Sequence, residues 1–139
     1  MDASRGISVN LGPSDIRASM LKHRMFLSKT YVFMQEEQQG YKVFVEQAAH
    51  EMHKGAFDRA LGYLNRAIRL NADDPSSLIE RAFCFNQQQE FENALKDANR
   101  ALMIQRKPSA KAFYVKGDSL YNLGDFEHSL MFYYRALRR

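Results

Sequence analysis

KGDSLYNLGDFEHSL, residues 116–130, is the stretch that decides the fold. It predicts the end of one helix, a tight turn at Gly124-Asp125 and the start of a second helix that folds back on the first, because Gly ends helices and Asp begins them. Two earlier stretches carry the same pattern, KGAFDRAL at residues 54–61 and QQEFENAL at residues 88–95. The sequence therefore contains one helical hairpin three times.

The three copies are almost evenly spaced. Phe57 precedes Phe91 by 34 residues, and Phe91 precedes Phe126 by 35. A period near 34 residues is the signature of the tetratricopeptide repeat, a helix-turn-helix unit that stacks into a solenoid. Residues 41–139 resemble this family over their full length. The resemblance implies an all-α fold, a right-handed superhelical solenoid of three helical hairpins with an N-terminal helical extension.

We expect the three repeats at residues 41–74, 75–108 and 109–139. Asp74-Pro75 opens the second repeat with a residue that can cap a helix and one that suits its first turn. The extra residue of the 35-residue step falls before the third repeat, near Pro108-Ser109. Gln87-Gln88-Gln89 replaces the expected Gly at the second turn, so we expect this turn to form at some cost in strain.

Both ends of such a solenoid need a cover, because terminal repeats expose apolar surface. Residues 1–40 are expected to form a short lead followed by an amphipathic helix, whose apolar stripe is Ile16, Met20, Leu27, Tyr31 and Met34. This helix, at residues 14–39, either caps the solenoid or docks on another protein. No polar-faced element follows the third hairpin, so we expect that a partner covers it or that the chain is part of a longer protein.

Composition excludes several classes of function. The net charge of +4 in 139 residues comes without a dense run of Lys and Arg, so we expect no nucleic acid partner. Cys84 is the only cysteine, which rules out an intrachain disulfide and a multi-thiolate metal site. No apolar run approaches the roughly 20 residues of a membrane span, and no signal peptide is evident. We therefore expect a soluble cytoplasmic protein without a cofactor, a membrane partner or a small-molecule substrate.

A partner-binding groove is predicted on the first helix of each hairpin, opposite its core-facing stripe. Several of the side chains there are apolar, and exposed apolar patches mark interaction sites. An extended peptide or an amphipathic helix is the expected ligand, unless residues 14–39 fold back and fill the groove themselves. The predicted groove residues are Val45, Ala49, Met52, Ile79, Phe83, Asn86, Lys111, Tyr114, Asp118 and Tyr121.

Two motifs spell known chemistry, but neither is expected to carry it here. Gly117-Asp118-Ser119-Leu120, with Asp125 and His128, spells the motif of a serine hydrolase family, but here the Ser is expected within a helix and without oxyanion donors. His50 and His53 share a helical face, yet two His without a third ligand make a weak metal site. We expect no catalytic residue and no metal ligand.

Many tetratricopeptide domains grip a C-terminal carboxylate of a chaperone through a clamp of Lys, Asn and Arg. The matching positions here are Val45, Ala49, Glu80, Lys111 and Val115, of which only Lys111 fits. Because Glu80 would repel a carboxylate, the chaperone clamp is disfavoured.

A closer resemblance is to the tetratricopeptide subunits of outer dynein arm docking complexes. Residues 95–98, 111–116, 123–127 and 132–136 are similar to their N-terminal repeats, above all in Gly-Asp-Phe-Glu followed by an aromatic-rich helix. The resemblance implies a scaffold of the ciliary or flagellar axoneme, part of the cytoskeleton. Its implied partners are coiled-coil docking subunits, dynein arm components or microtubule-associated proteins. The alternative is a cytosolic adaptor or chaperone co-factor that binds a peptide without the clamp.

Overall fold

The computed structural model describes the backbone of residues 12–138, and the side chains of that range except residues 26–28 and 30–39. Residues 1–11 of the lead predicted at residues 1–13 lie outside the described residues, as do the side chains of Leu27, Tyr31 and Met34, and Pro13 is the first residue of a helix. Residues 12–138 contain no strand. Within this range six helices follow one another in the order α1 Pro13–His53, α2 Phe57–Leu70, α3 Pro75–Gln87, α4 Phe91–Ile104, α5 Ala110–Asn122 and α6 Phe126–Leu137.

The helices confirm the predicted all-α solenoid of hairpins. α3 packs against α4 and α5 against α6, and successive hairpins meet where α2 contacts α3 and where α4 contacts α5. The extra residue of the 35-residue step lies in the linker between α4 and α5, which has five residues where the α2–α3 linker has four.

The first helix is longer than expected. The chain divides into two compact units, residues 1–36 and residues 37–139, and the boundary predicted at residues 40–41 falls inside α1. The sequence around this point is rich in Glu and Gln, which favour helices, and it contains no Pro. Gly40 alone costs only about 1 kcal/mol in a helix, which is too little to end it. None of the described helices is long and apolar enough to cross a membrane.

The turns within the hairpins share one backbone conformation. Gly55 and Gly124 have φ angles of 78° and 92°, in the left-handed region that Gly tolerates. Gln89 takes the same place in the second hairpin with φ of 63°, so the strain predicted for that turn is present. Asp74 caps α3 as predicted, since its carboxylate accepts from the Ser77 amide at 3.2 Å.

Small side chains let the helices of unit 37–139 approach closely. One core cluster lies between the first and second hairpins and consists of Ala48, Ala60, Leu64 and Cys84. A larger one lies between the second and third and consists of Leu78, Ile79, Ala82, Ala94, Ala98, Ala101, Ala112 and Val115. Because interiors pack at crystal-like density, Ala at these crossings sets the distance between hairpins.

The Arg81 guanidinium links three helices of the first two hairpins. Arg81 on α3 forms two bonds with the carboxylate of Asp97 on α4, at 2.6 and 2.8 Å, and a third with Asn65 on α2 at 3.0 Å. Asp97 is buried, so the guanidinium is its necessary partner.

Candidate partner-binding surface

The predicted groove residues come from three helices of one unit: the last turns of α1, then α3 and α5. The structure leaves four of them exposed to solvent, namely Ala49, Lys111, Tyr114 and Tyr121. Val45, Met52, Phe83 and Asp118 are half-buried. These eight positions therefore retain some surface that a partner can contact.

Two predicted groove residues, Ile79 and Asn86, lie inside the fold and offer little surface to a partner. Ile79 is 4% exposed and belongs to the larger core cluster, and Asn86 is 8% exposed. The Asn86 side chain donates to the Val115 carbonyl oxygen at 3.1 Å, and its amide oxygen accepts from the Ser119 hydroxyl at 2.9 Å. Both residues are covered because α5 lies over α3. The apolar side chain of Ile79 and the hydrogen bonds of Asn86 therefore hold the second and third hairpins together.

The same positions on α5 have the opposite environment. Tyr114 and Tyr121 lie 35 residues after Ile79 and Asn86, and both are exposed. In the part of the chain that the structure describes, no further helix lies over α5. The ring of Tyr121 meets that of Phe126 edge-on, with centroids 5.2 Å apart.

Lys111 is held by its neighbours on α3. Its ammonium nitrogen lies 2.5 Å from Glu80 Oε1 and 5.4 Å from the centroid of the Phe83 ring. The pair is partly exposed, and a carboxylate from a ligand would have to compete with Glu80 for the ammonium group. Val115, another clamp position, is fully buried. The local electrostatics therefore oppose a terminal carboxylate.

Asp118 is also engaged within its own hairpin. Its carboxylate accepts from the Tyr133 hydroxyl at 2.6 Å. Burial raises the pKa of Tyr133 well above its usual range, and the bond to Asp118 raises it further. The hydroxyl therefore stays protonated, and this bond fixes α6 on α5.

The residues of the hydrolase-like motif have structural roles. Ser119 is fully buried, and its hydroxyl lies 2.9 Å from Asn86 Oδ1 and 3.0 Å from the Val115 carbonyl oxygen. Asp125 caps α6 by accepting from the His128 amide at 3.3 Å, and its side-chain bond to His128 lowers the pKa of its carboxyl group. Ser119 has no access to a substrate.

No group of three or more His, Cys, Asp or Glu among the described side chains could hold a metal ion. His50 and His53 are exposed in the last turn of α1, where cations interact favourably with the end of a helix.

Sequence reasoning missed two features of this surface. The Lys111–Glu80 pair joins residues 31 positions apart, and the 35-residue step could have placed them together. The sequence predicted that the third hairpin needs a cover, but the exposed residues of α6 were not identified, because the corresponding positions of α2 and α4 look like core. The signal is that those positions of α2 and α4 are buried by the first helix of the next hairpin, and no described helix follows α6.

Comparison with known proteins agrees with this fold. Residues 110–139 match the family model described as tetratricopeptide repeat. Outer dynein arm-docking complex subunit 4 of Xenopus laevis is 31% identical over 104 residues, which are 75% of this chain and 19% of that protein. The Homo sapiens protein of the same name is 35% identical over 85 residues, 60% of this chain and 12% of its own length. The chain thus spans less than a quarter of the relatives it matches.

A solved structure shares the architecture at lower sequence identity. The second tetratricopeptide domain of Spaghetti (RPAP3), bound to the HSP90 peptide SRMEEVD, superposes with a TM-score of 0.69 at 22% identity. The superposition covers 75% of this chain and 94% of that domain. Together with the helical hairpins described above, these matches identify the chain as a tetratricopeptide repeat protein that resembles outer dynein arm-docking complex subunit 4.

Proposed function

We propose that this chain is a non-catalytic scaffold of the ciliary or flagellar axoneme that helps to seat outer dynein arms on doublet microtubules. The observation that carries the proposal is the similarity to docking-complex subunits, 31% identity across three-quarters of the chain. The stacked hairpins support it, because solenoids bind other proteins along extended surfaces.

The partner would lie along the side formed by the end of α1, α3 and α5. Ala49, Met52 and Phe83 offer apolar contacts there, and the Lys111–Glu80 pair beside them carries no net charge. A coiled-coil docking subunit presents aliphatic side chains at heptad spacing, which suits a mostly apolar and neutral groove. We therefore propose a coiled-coil segment as the ligand of this groove.

The alternative is a cytosolic chaperone co-factor that binds a peptide without a carboxylate clamp. The likeness to the RPAP3 domain supports a shared fold at 22% identity. The bond between Lys111 and Glu80 argues against recognition of a terminal carboxylate in the manner of a clamp.

The test measures co-sedimentation of the purified chain with axonemes from which high salt has removed the outer arms and docking complexes. We expect saturable binding, reduced at least tenfold by Phe83→Ser combined with Tyr114→Ser. Met103→Ser is the matched control, because Met103 is 86% exposed on α4 and lies outside the groove. Circular dichroism must show equal helix content in all three proteins.

Two results would separate the parts of this proposal. Unchanged binding by the double variant would remove the groove but leave the axonemal role. An even cytosolic distribution of the tagged chain in ciliated cells, together with micromolar binding of the peptide SRMEEVD that persists when the C-terminus of the peptide is amidated, would overturn the axonemal role and support the chaperone alternative.

A further inference from the structure

The second and third hairpins carry different residues around one conserved place for a cation in the repeat. Position 81 of α3 corresponds to position 116 of α5, and position 97 of α4 corresponds to position 132 of α6, 35 residues later in each case. In the second hairpin these residues are Arg81 and Asp97, which form a bidentate ion pair. In the third hairpin they are Lys116 and Phe132. The cation is kept, but an aromatic ring takes the place of its carboxylate partner.

The Phe132 ring attracts two cations without neutralising either of them. The Lys116 ammonium nitrogen lies 4.2 Å from the centroid of this ring, and the Arg135 guanidinium carbon lies 5.0 Å from it. The quadrupole of an aromatic ring attracts a cation but carries no net charge. Burial lowers the pKa of Lys116, and the charge of Arg135 lowers it further. Two positive charges are therefore held close together on the third hairpin.

The chain supplies no nearby carboxylate for these two charges. Within the part of the chain that the structure describes, neither Lys116 nor Arg135 forms an ion pair with an Asp or Glu side chain. The residues three and four positions before and after each of them are either uncharged or arginine. A carboxylate that pairs with them must therefore come from elsewhere.

Lys116 is also less firmly held than Arg81. Arg81 bonds to the amide oxygen of Asn65 on α2 at 3.0 Å. Asn99 on α4 has the same place relative to Lys116, yet its buried amide oxygen has no bonding partner among the described residues. The ammonium group of Lys116 is thus not committed to the neighbouring hairpin.

The corresponding place of the first hairpin contains carboxylates of the chain itself. There Gln47 replaces the cation and Tyr63 replaces the ring, so that Arg66 is the one cation of the three positions. Glu46 and Glu51 line the same surface depression as Tyr63. Among the described residues, the third hairpin alone places two cations together at this point without an acidic side chain.

The exposure of this site does not depend on where the described chain stops. Arg66 and Arg100 occupy the position of Arg135 on α2 and α4, and both are exposed although another hairpin follows them. The Arg100 side chain is 53% exposed. Among the described residues, α5 and α6 form no hydrogen bond with Arg81 or Arg100. A following hairpin therefore leaves this side of the repeat open.

We propose that the third hairpin binds an acidic segment of a partner protein at Lys116, Phe132 and Arg135, which we call the cation pair site. Carboxylates of that segment pair with the ammonium and guanidinium groups, as Asp97 pairs with Arg81 in the second hairpin. On α5, Lys116 lies about 140–160° around the helix from the predicted groove residues. The site is therefore a second contact surface, separate from the proposed groove.

A nucleic acid fits the cation pair site less well than an acidic peptide. Nucleic acids are bound through many phosphate groups, so their binding proteins present a run or a stripe of cations. Here the net charge is +4 and the sequence has no dense run of Lys and Arg. The one group that the repeat itself pairs with a cation at this place is a carboxylate, that of Asp97.

Binding of a labelled hexaglutamate peptide to the purified full chain tests the proposal, measured by fluorescence anisotropy at low ionic strength, where exposed charges are least screened. We expect saturable binding that Lys116→Gln combined with Arg135→Gln weakens at least tenfold. Arg66→Gln combined with Arg69→Gln is the matched control, because it removes the same charge from exposed positions of α2. It should change the affinity less than twofold. Equal losses in both variants, or no binding of hexaglutamate, would overturn the proposal.

A second pair of variants supplies the carboxylate that the second hairpin already has. Phe132→Asp places an acidic side chain beside Lys116 and Arg135, so it should weaken peptide binding at least tenfold although every cation is kept. Phe132→Asn removes the same ring without adding a charge and should bind within threefold of the parent. Equal affinities of these two variants, at equal helix content by circular dichroism, would contradict the site. If either variant unfolds, the glutamine variants decide alone.

An oligodeoxythymidine probe separates the acidic peptide from a nucleic acid. It should bind at least tenfold more weakly than hexaglutamate. Equal or tighter binding that is lost in the variant with Gln at positions 116 and 135 would overturn the assignment to an acidic peptide. These assays use no axonemes, so their failure would leave the proposed axonemal role untouched.

Discussion

Gly117 lies in the middle of α5, and Gly62 lies in the middle of α2. We expect substitution by Ala to lower the free energy of unfolding at Gly117 and to raise it at Gly62. Ala is favoured over Gly in a helix by about 1 kcal/mol, so Gly117→Ala would stabilise an isolated helix. In the folded chain, however, the added Cβ would lie 2.8 Å from Tyr133 Cδ1 and 3.3 Å from the Ser129 carbonyl oxygen. The substitution therefore forces atoms to move.

The Tyr133 ring has little freedom to move away. Its hydroxyl donates to Asp118 at 2.6 Å, and its ring lies against Tyr114 with centroids 6.0 Å apart. Overpacking of this kind costs about 1–3 kcal/mol, and loss of the hydroxyl bond adds about 1 kcal/mol. After the gain in helix propensity is subtracted, we expect Gly117→Ala to lower the free energy of unfolding by about 1–3 kcal/mol.

Gly62 is the matched control, because it lies within α2 and a Cβ there would meet nothing within 4 Å. Gly62→Ala should raise the free energy of unfolding by about 0.5–1 kcal/mol. Urea denaturation of both variants and the parent, followed by circular dichroism, measures the difference. If Gly117→Ala is as stable as Gly62→Ala, the contact between α5 and α6 does not constrain the fold as described.

Three further predictions concern stability and pH. Gln89→Gly should raise the free energy of unfolding by about 1 kcal/mol because it relieves the left-handed φ, whereas Gly124→Ala, at φ 92°, should lower it; thermal denaturation checks both. Asp97→Ala should lower the free energy of unfolding by about 3 kcal/mol, because it leaves the Arg81 guanidinium without its carboxylate partner. Asp73→Ala removes an exposed ion pair and should lower it by under about 1 kcal/mol. Urea denaturation compares the two variants, and a small loss for Asp97→Ala would contradict the role given to Arg81. Burial raises the pKa of Cys84 to about 12, so the native thiol stays neutral while the unfolded thiol ionises near 9. Stability should therefore fall as the pH rises from 9 toward 12, and Cys84→Ala should remove that part of the slope.

The sequence predicted the hairpins because their signals are local. Gly124-Asp125 fixes a turn and a cap within two residues, and Asp74-Pro75 does the same at the start of α3. Even the strained turn at Gln89 followed from its place in the repeat.

The groove was predicted less well because its exposure depends on residues far along the chain. A helical wheel of α3 places Ile79 and Asn86 away from the predicted core position Leu78, and Asn86 in fact bonds to Val115 on α5. It does not show that α5, about 30 residues later, covers that side as well. The sequence also did not predict that α1 is continuous from Pro13 to His53. The repeat boundary was taken as a helix boundary, but Gly40 is the one weak helix former there and does not end the helix.

The Arg81 bridge has a consequence for the order in which the hairpins open. Its counterpart in the third hairpin is Lys116, which lies 4.2 Å above the Phe132 ring, while the Asn99 amide oxygen has no bonding partner among the described residues. The Arg81 guanidinium thus links α2, α3 and α4, whereas the third hairpin is held to the second by the Lys111–Glu80 pair and by the bonds of Asn86. In a repeat array each junction contributes its own coupling energy, and among the described residues the hairpin of α5 and α6 has a junction on one side only, so amide hydrogen exchange should be faster there than in α3 and α4. The hairpins would then unfold one after another, beginning with the third.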